Sequence, residues 1–97
     1  SFDGACVLTP FVPASTYGDL ADIDIRLTIN GEVRQDGNSQ LMLNPIVPMI
    51  QYMAAHFSLL PGDVILTGTP AGVGALNSGD ELILELPGVS QFSGRVL

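Results

Sequence analysis

Ile23-Asp24-Ile25-Arg26-Leu27-Thr28-Ile29-Asn30-Gly31-Glu32-Val33-Arg34-Gln35 decides the fold class. Ile23, Ile25, Leu27 and Ile29 alternate with Asp24, Arg26, Thr28 and Asn30, a period of two that gives a strand one apolar face and one wet face. Asn30-Gly31 comes next, and both residue types accept the left-handed backbone of a type I′ turn. The chain should therefore fold back on itself, with Glu32-Val33-Arg34-Gln35 as the second arm of a hairpin before Asp36-Gly37-Asn38 ends it. Arg34 is expected to be the solvated cross-strand partner of a hairpin carboxylate.

Upstream, residues 13–22 have no periodicity and read as a loop, with Tyr17 on its surface. Residues 5–12 are apolar but contain Pro10, which suits an edge strand or an extended segment, and Ser1-Phe2-Asp3-Gly4 is turn-like. Downstream, Asn44 before Pro45 reads as a helix N-cap with proline in the first turn. Ile46, Met49, Ile50, Met53 and Phe57 then recur at helical spacing, one apolar face. Pro48 fits only because it falls in that first turn. His56 comes at the helix end, where a cation complements the dipole; with no Cys, His or acidic neighbour at ligand spacing it makes no metal site.

Pro61-Gly62-Asp63-Val64-Ile65-Leu66-Thr67-Gly68-Thr69-Pro70-Ala71-Gly72-Val73-Gly74 is the segment whose composition suits a ligand. A turn at Pro61-Gly62 leads into Val64, Ile65 and Leu66, an apolar run expected to be a strand buried on both faces. The glycines beyond it let the backbone approach a bound group with its N–H donors free, while Thr67 and Thr69 add hydroxyls. Such a loop suits a carboxylate or a phosphate. It lacks the Gly-Lys-Ser/Thr ending of a P-loop, and no helix follows to present an N-terminus to a pyrophosphate. A purely structural connection between strands is the alternative reading. Residues 81–86 and 91–97, joined by Pro87-Gly88, complete the chain as two more strands. The element order argues for a mostly antiparallel β fold with one packing helix.

Composition narrows the function. The 97 residues carry a net charge of −7, and the three basic side chains besides His56 are Arg26, Arg34 and Arg95, with no lysine. Nucleic acid is a poor partner for such a chain, because phosphate contacts need clustered Lys and Arg. An anionic substrate would need backbone N–H groups or a metal ion. The single cysteine, Cys6, excludes an internal disulfide and, between Ala5 and Val7, is expected to be a small buried hydrophobe. No signal peptide and no membrane-length apolar run are present, so a cytoplasmic protein without membrane partners is expected. Hydrophobic residues make up 46% and charged residues 13%, more apolar than a free-standing domain of this size usually is. Part of that surface should pack against something outside these residues. A start at Ser1 without methionine points the same way, to a fragment or a processed C-terminal piece.

Ser1-Phe2-Asp3-Gly4, the run from Asn30 to Asn38 and above all the run from Pro61 to Gly74 resemble the C-terminal part of the fumarylacetoacetate hydrolase family, over essentially the whole chain. Within it the bacterial acylpyruvate (fumarylpyruvate) hydrolases are the most similar, helped by Ile46-Val47-Pro48-Met49-Ile50 and Ser78-Gly79-Asp80-Glu81-Leu82. The resemblance implies a partial domain, residues 1–97 being the C-terminal portion of one catalytic domain, a mixed β-roll. It implies a homodimeric enzyme that cleaves a carbon–carbon bond in a 2,4-dioxo acid with Mg²⁺ or Mn²⁺. The two glutamates and the aspartate that hold the metal would lie upstream, and the active-site lysine would directly precede Ser1. No catalytic or metal-binding residue is thus expected in this chain. Thr69, the second threonine of Thr-Gly-Thr-Pro, with the adjoining backbone at Gly68, would contact the substrate carboxylate. Departures from the family pattern are Val7, where proline often follows the cysteine, and Leu41, where many members have aspartate before Met42. Sister reactions at the same site, on oxaloacetate or a hydroxyheptadienedioate, are the alternative, and a non-catalytic binding module is the reading from a different class.

Overall fold

A computed structural model describes residue 4 and residues 6–97. Its sheet consists of β1 (Asp24–Ile29), β2 (Glu32–Asn38), β3 (Glu81–Leu86) and β4 (Ser90–Arg95), and the one α-helix, α1 (Ile46–His56), lies between β2 and β3 in the sequence. The strands stand in the order β2-β1-β3-β4 and every neighbouring pair is antiparallel. The mostly-β class with one helix is as the sequence predicts. The hairpin turn is also as expected, with Asn30 at φ 51° and Gly31 at φ 80°.

The second arm of the hairpin departs from expectation in length and in register. β2 runs on to Asn38 rather than stopping at Gln35, because Asp36, Gly37 and Asn38 pair with Arg26, Ile25 and Asp24. Val33 lies opposite Thr28 and Gln35 opposite Leu27, so Arg34 is an extra residue in the ladder. Such a bulge exchanges the faces of everything beyond it. It brings Asp36 opposite Arg26, whose guanidinium lies 3.6 Å from the carboxylate. The cross-strand ion pair expected of Arg34 is thus made by Arg26.

β1 and β3 are joined at their ends by one side chain. Asn30 donates from Nδ2 to Asp80 Oδ1 at 2.9 Å and accepts at Oδ1 from the Glu81 N–H, also at 2.9 Å. Since a carboxylate can only accept and a backbone N–H only donate, the amide's orientation is fixed by chemistry. The other Asp80 oxygen accepts from the Asn77 N–H at 2.8 Å. Ile29, adjoining Asn30, is the one buried apolar side chain among the described residues, at 4% exposure.

Several expectations fail, the first for want of a neighbouring strand. Val64, Ile65 and Leu66 form no strand, and Val64 and Leu66 are 46% and 77% exposed, because no strand among the described residues pairs with them. Residues 6–12 make no strand, which leaves the other expectation, an extended segment, and Cys6 is exposed rather than buried. The residue before the first turn of α1 is Pro45, not Asn44; the Pro45 carbonyl accepts the opening helical bond from Met49 at 3.0 Å, and no side chain caps the helix. The last strand closes at Arg95, and the turn expected at Ser1-Phe2-Asp3-Gly4 rests on residues outside the described ones. The Tyr52 carbonyl receives the His56 Nδ1–H at 2.8 Å, so the histidine closes the helix. No helix among the described residues is long and apolar enough to cross a membrane.

The Asn77 N–H and the Asn30 amide hold the Asp80 carboxyl below the ordinary carboxylate range, the backbone bond contributing most. A depressed folded value means that the stability it lends is complete at neutral pH and is lost as pH falls through that value. Asp80→Ala in the intact protein is therefore expected to lower the thermal midpoint at pH 7 and to flatten the acid limb of the stability curve. An acid limb that is the same in both proteins would leave Asp80 without this role.

Candidate functional site

Residues 67–74 cross the face of the sheet that carries Ile25 and Leu27. Two glycines, one on each side of the contact, allow it. A Cβ on Gly72, at φ 106°, would overlap the Arg34 carbonyl oxygen, and a Cβ on Gly37 would stand 2.9 Å from Pro70 Cβ. The loop thus rests on β2 at closest backbone approach. Between those two seats, Gln35 reaches up from the strand. Its Nε2 donates to Thr69 Oγ1 at 2.8 Å and to the Pro70 carbonyl at 2.9 Å.

On the far side of Thr69 a cleft of about 360 Å³ opens between the loop and the segment that enters α1. Thr67, Gly68, Thr69 and Pro70 form one wall; Leu41, Met42, Leu43, Asn44 and Met49 form the other, with Gly37 and Asn38 between them. The second wall is anchored by side chains at its root. Asn38 Nδ2 donates to Asp22 Oδ1 at 2.8 Å and to Asp24 Oδ1 at 2.9 Å, while its Oδ1 accepts from the Gln40 N–H at 2.8 Å. Ser39 Oγ donates to the Leu20 carbonyl at 2.9 Å. A space of this size lies at the small end of the range for small-molecule sites.

The cleft is mainly apolar, and the polar groups of its loop wall are uncharged. No arginine lines it. Among the described residues, the N–H groups of the loop from Thr67 to Gly74 donate to no protein acceptor. Gly68, at φ 98° with open space where a Cβ would stand, leaves the backbone there accessible to a ligand. Thr69 is exposed to the cleft, and its oxygen already accepts the Gln35 proton. The two residues singled out by sequence, Thr69 and Gly68, are thus adjacent on one wall. Gln35 and the opposite wall were missed. The available signal was a carboxamide in an arm too polar for an ordinary strand.

For a divalent metal the described residues offer no seat, since no three His, Cys, Asp or Glu side chains converge.

The model of the C-terminal region of fumarylacetoacetate (FAA) hydrolase matches residues 1–97. Oxaloacetate tautomerase YcgM of Escherichia coli (strain K12) is 48% identical over 98 residues, which cover 100% of this chain and 44% of that protein. Among solved structures, a fumarylacetoacetate hydrolase family protein of Yersinia pestis CO92 superposes with a TM-score of 0.91 at 46% identity, covering 100% of this chain and 44% of that one. Maleylpyruvate hydrolase of Sphingobium sp. SYK-6, solved in complex with manganese(II) ion and pyruvate, gives a TM-score of 0.82 at 34% identity over 89% of this chain and 33% of that one. The chain spans less than half the length of these relatives.

Because the Gly72 seat cannot admit a methyl group, Gly72→Ala should destabilise the intact protein by about 1–3 kcal/mol in a urea titration. Gly74→Ala, where a Cβ meets nothing within 4 Å, should change stability by less than about 0.5 kcal/mol. Equal effects at the two positions would mean that the loop is not seated on β2.

Proposed function

The chain belongs to the fumarylacetoacetate hydrolase family, and we propose that it is the C-terminal portion of one catalytic domain, supplying the carboxylate-holding wall of an enzyme that acts on short 2-oxo acids. The observation that carries the reading is the Thr69 hydroxyl, held at 2.8 Å by Gln35 on the loop wall of a mainly apolar cleft that no arginine lines. Within the family, keto–enol interconversion of an oxaloacetate-like acid is the better-supported reaction, because a 48% identical relative over the full chain is named an oxaloacetate tautomerase. The acylpyruvate hydrolysis expected first from sequence becomes the second reading, supported by the 34% identical maleylpyruvate hydrolase.

In the tautomerisation a proton leaves the carbon beside the keto group and one is added at the carbonyl oxygen, or the reverse. Thr69 Oγ and the N–H groups around Gly68 would hold a substrate carboxylate, which fixes the enolisable carbon relative to the groups that move the proton. None of the described residues is assigned to that transfer. A divalent cation, manganese(II) in the Sphingobium structure, belongs to the proposal for the whole enzyme but has no seat among the described residues. A cytoplasmic homodimer is part of the same proposal, with part of the exposed apolar surface covered in the assembly.

Thr69→Val in the intact enzyme should raise KM for oxaloacetate about tenfold or more, the usual worth of a hydrogen bond to a charged group, and change kcat by less than about threefold. Unchanged KM and kcat would remove Thr69 from the site. Tautomerisation of oxaloacetate should also exceed cleavage of an acylpyruvate at equal enzyme concentration; the opposite order would favour the hydrolase.

A further inference from the structure

The geometry points to Gln35 as a positioning residue that sets the direction of the Thr69 hydroxyl, turning its proton toward the substrate carboxylate. The inference rests on the reading of Thr69 as a carboxylate ligand. It begins with which end of the Gln35 amide faces the loop. The group 2.9 Å from the Pro70 carbonyl must be a donor, because that carbonyl can only accept. The NH₂ end therefore faces the loop, and its two protons are both engaged, one by Pro70 and one by Thr69 Oγ1 at 2.8 Å.

A threonine hydroxyl has one proton and two lone pairs. When one lone pair accepts from Gln35, the proton cannot point back at the strand; the proton and the second lone pair are what remain for the cleft, and an acceptor there draws the proton. Without that donor the proton can also turn to the strand side, which leaves only lone pairs for the ligand. An anion distinguishes sharply between the two, since a carboxylate accepts and does not donate. Gln35 thereby keeps the Thr69 proton available to an acceptor in the cleft without introducing a charge.

The loop's position does not depend on the Gln35 amide. Gly72 against the Arg34 carbonyl and Pro70 against Gly37 seat the backbone on either side of it. The bulge at Arg34 brings Gln35 opposite Leu27 and so onto the covered face. Changing the amide should therefore alter the polarity presented by Thr69 while leaving the loop where it is.

Gln35→Glu provides the test, because a carboxylate of nearly the same shape accepts the Thr69 proton and leaves lone pairs facing the cleft. Titration calorimetry of the intact protein with manganese(II) present compares pyruvate with its neutral amide, pyruvamide. Q35E is expected to bind pyruvate about tenfold or more weakly and pyruvamide within about twofold of the unmodified protein, so that the preference for the carboxylate collapses. Thr69→Val should abolish the same preference. A Q35E protein that retains the preference while Thr69→Val loses it overturns the role of Gln35 and leaves Thr69 as the ligand. Equal weakening of both ligands in Q35E reduces Gln35 to a structural residue and also overturns the proposal. A preference unchanged in Thr69→Val, or no binding of pyruvate by the unmodified protein, overturns the reading of the site and this inference with it. Should Q35E fail to fold, Gln35→Met, similar in length and without a donor, carries the comparison with a loss of preference of about threefold or more as the expected result.

Discussion

One extra residue in a strand determines what this sheet can hold. With Ile29 opposite Glu32 across the turn, an unbroken ladder would place Arg34 opposite Leu27 and Asp36 opposite Ile25, on the face that the glycine-rich loop crosses. The bulge at Arg34 shifts everything beyond it by one position. Gln35 and Gly37 then occupy the covered face, where one donates to Thr69 and the other makes room for Pro70. Asp36 moves to the other face and meets Arg26. A single insertion thus replaces a cation and a carboxylate under the loop with a carboxamide and a hydrogen atom. The loop's glycine at position 72 is a consequence of the same bulge, since it rests on the carbonyl of the bulged residue.

The sheet that carries this arrangement has little interior. Ile29 alone is buried among the described residues, while Phe11, Leu43, Leu66 and Val73 each expose three quarters or more of their surface. Apolar burial is ordinarily what favours the folded state most. Here the strands are ordered by ladder bonds and by polar links such as Asn30 between Asp80 and Glu81. That balance fits a chain spanning 44% of its E. coli relative. Apolar segments such as 64–66 have the composition of a strand interior but no neighbour here to make them one.

The parts of the fold legible in the sequence were those set by local chemistry. Alternating isoleucines and leucine fixed β1, Asn30-Gly31 fixed its turn, and three- and four-residue spacing fixed α1. The course of β2 was not legible, because Val33 is its one large apolar residue and a polar strand has no pattern to specify register. The bulge, and Gln35 with it, followed from pairing to β1 rather than from anything in residues 32–38 alone. Val64, Ile65 and Leu66 misled for the opposite reason: their pattern was clear, but strand formation needs a partner that the described residues lack. Thr69 and Gly68 were visible as a loop suited to an anion; what orients the hydroxyl was visible only in three dimensions.

A net charge of −7 disfavours an anionic ligand at long range, yet net charge acts differently from local donors. At physiological ionic strength the field of distant carboxylates is screened over about 8 Å. Asp22 and Asp24 are moreover bound to the Asn38 amide at the root of the cleft rather than left facing the loop. Within contact distance, directed N–H and O–H groups decide the outcome, and they have geometry that a cation lacks. An ammonium would attract any anion from any direction. A hydroxyl that accepts from an amide keeps its own proton for a group with a lone pair at the right place. An acidic chain can thus present directed, uncharged donors to an anion despite its net charge.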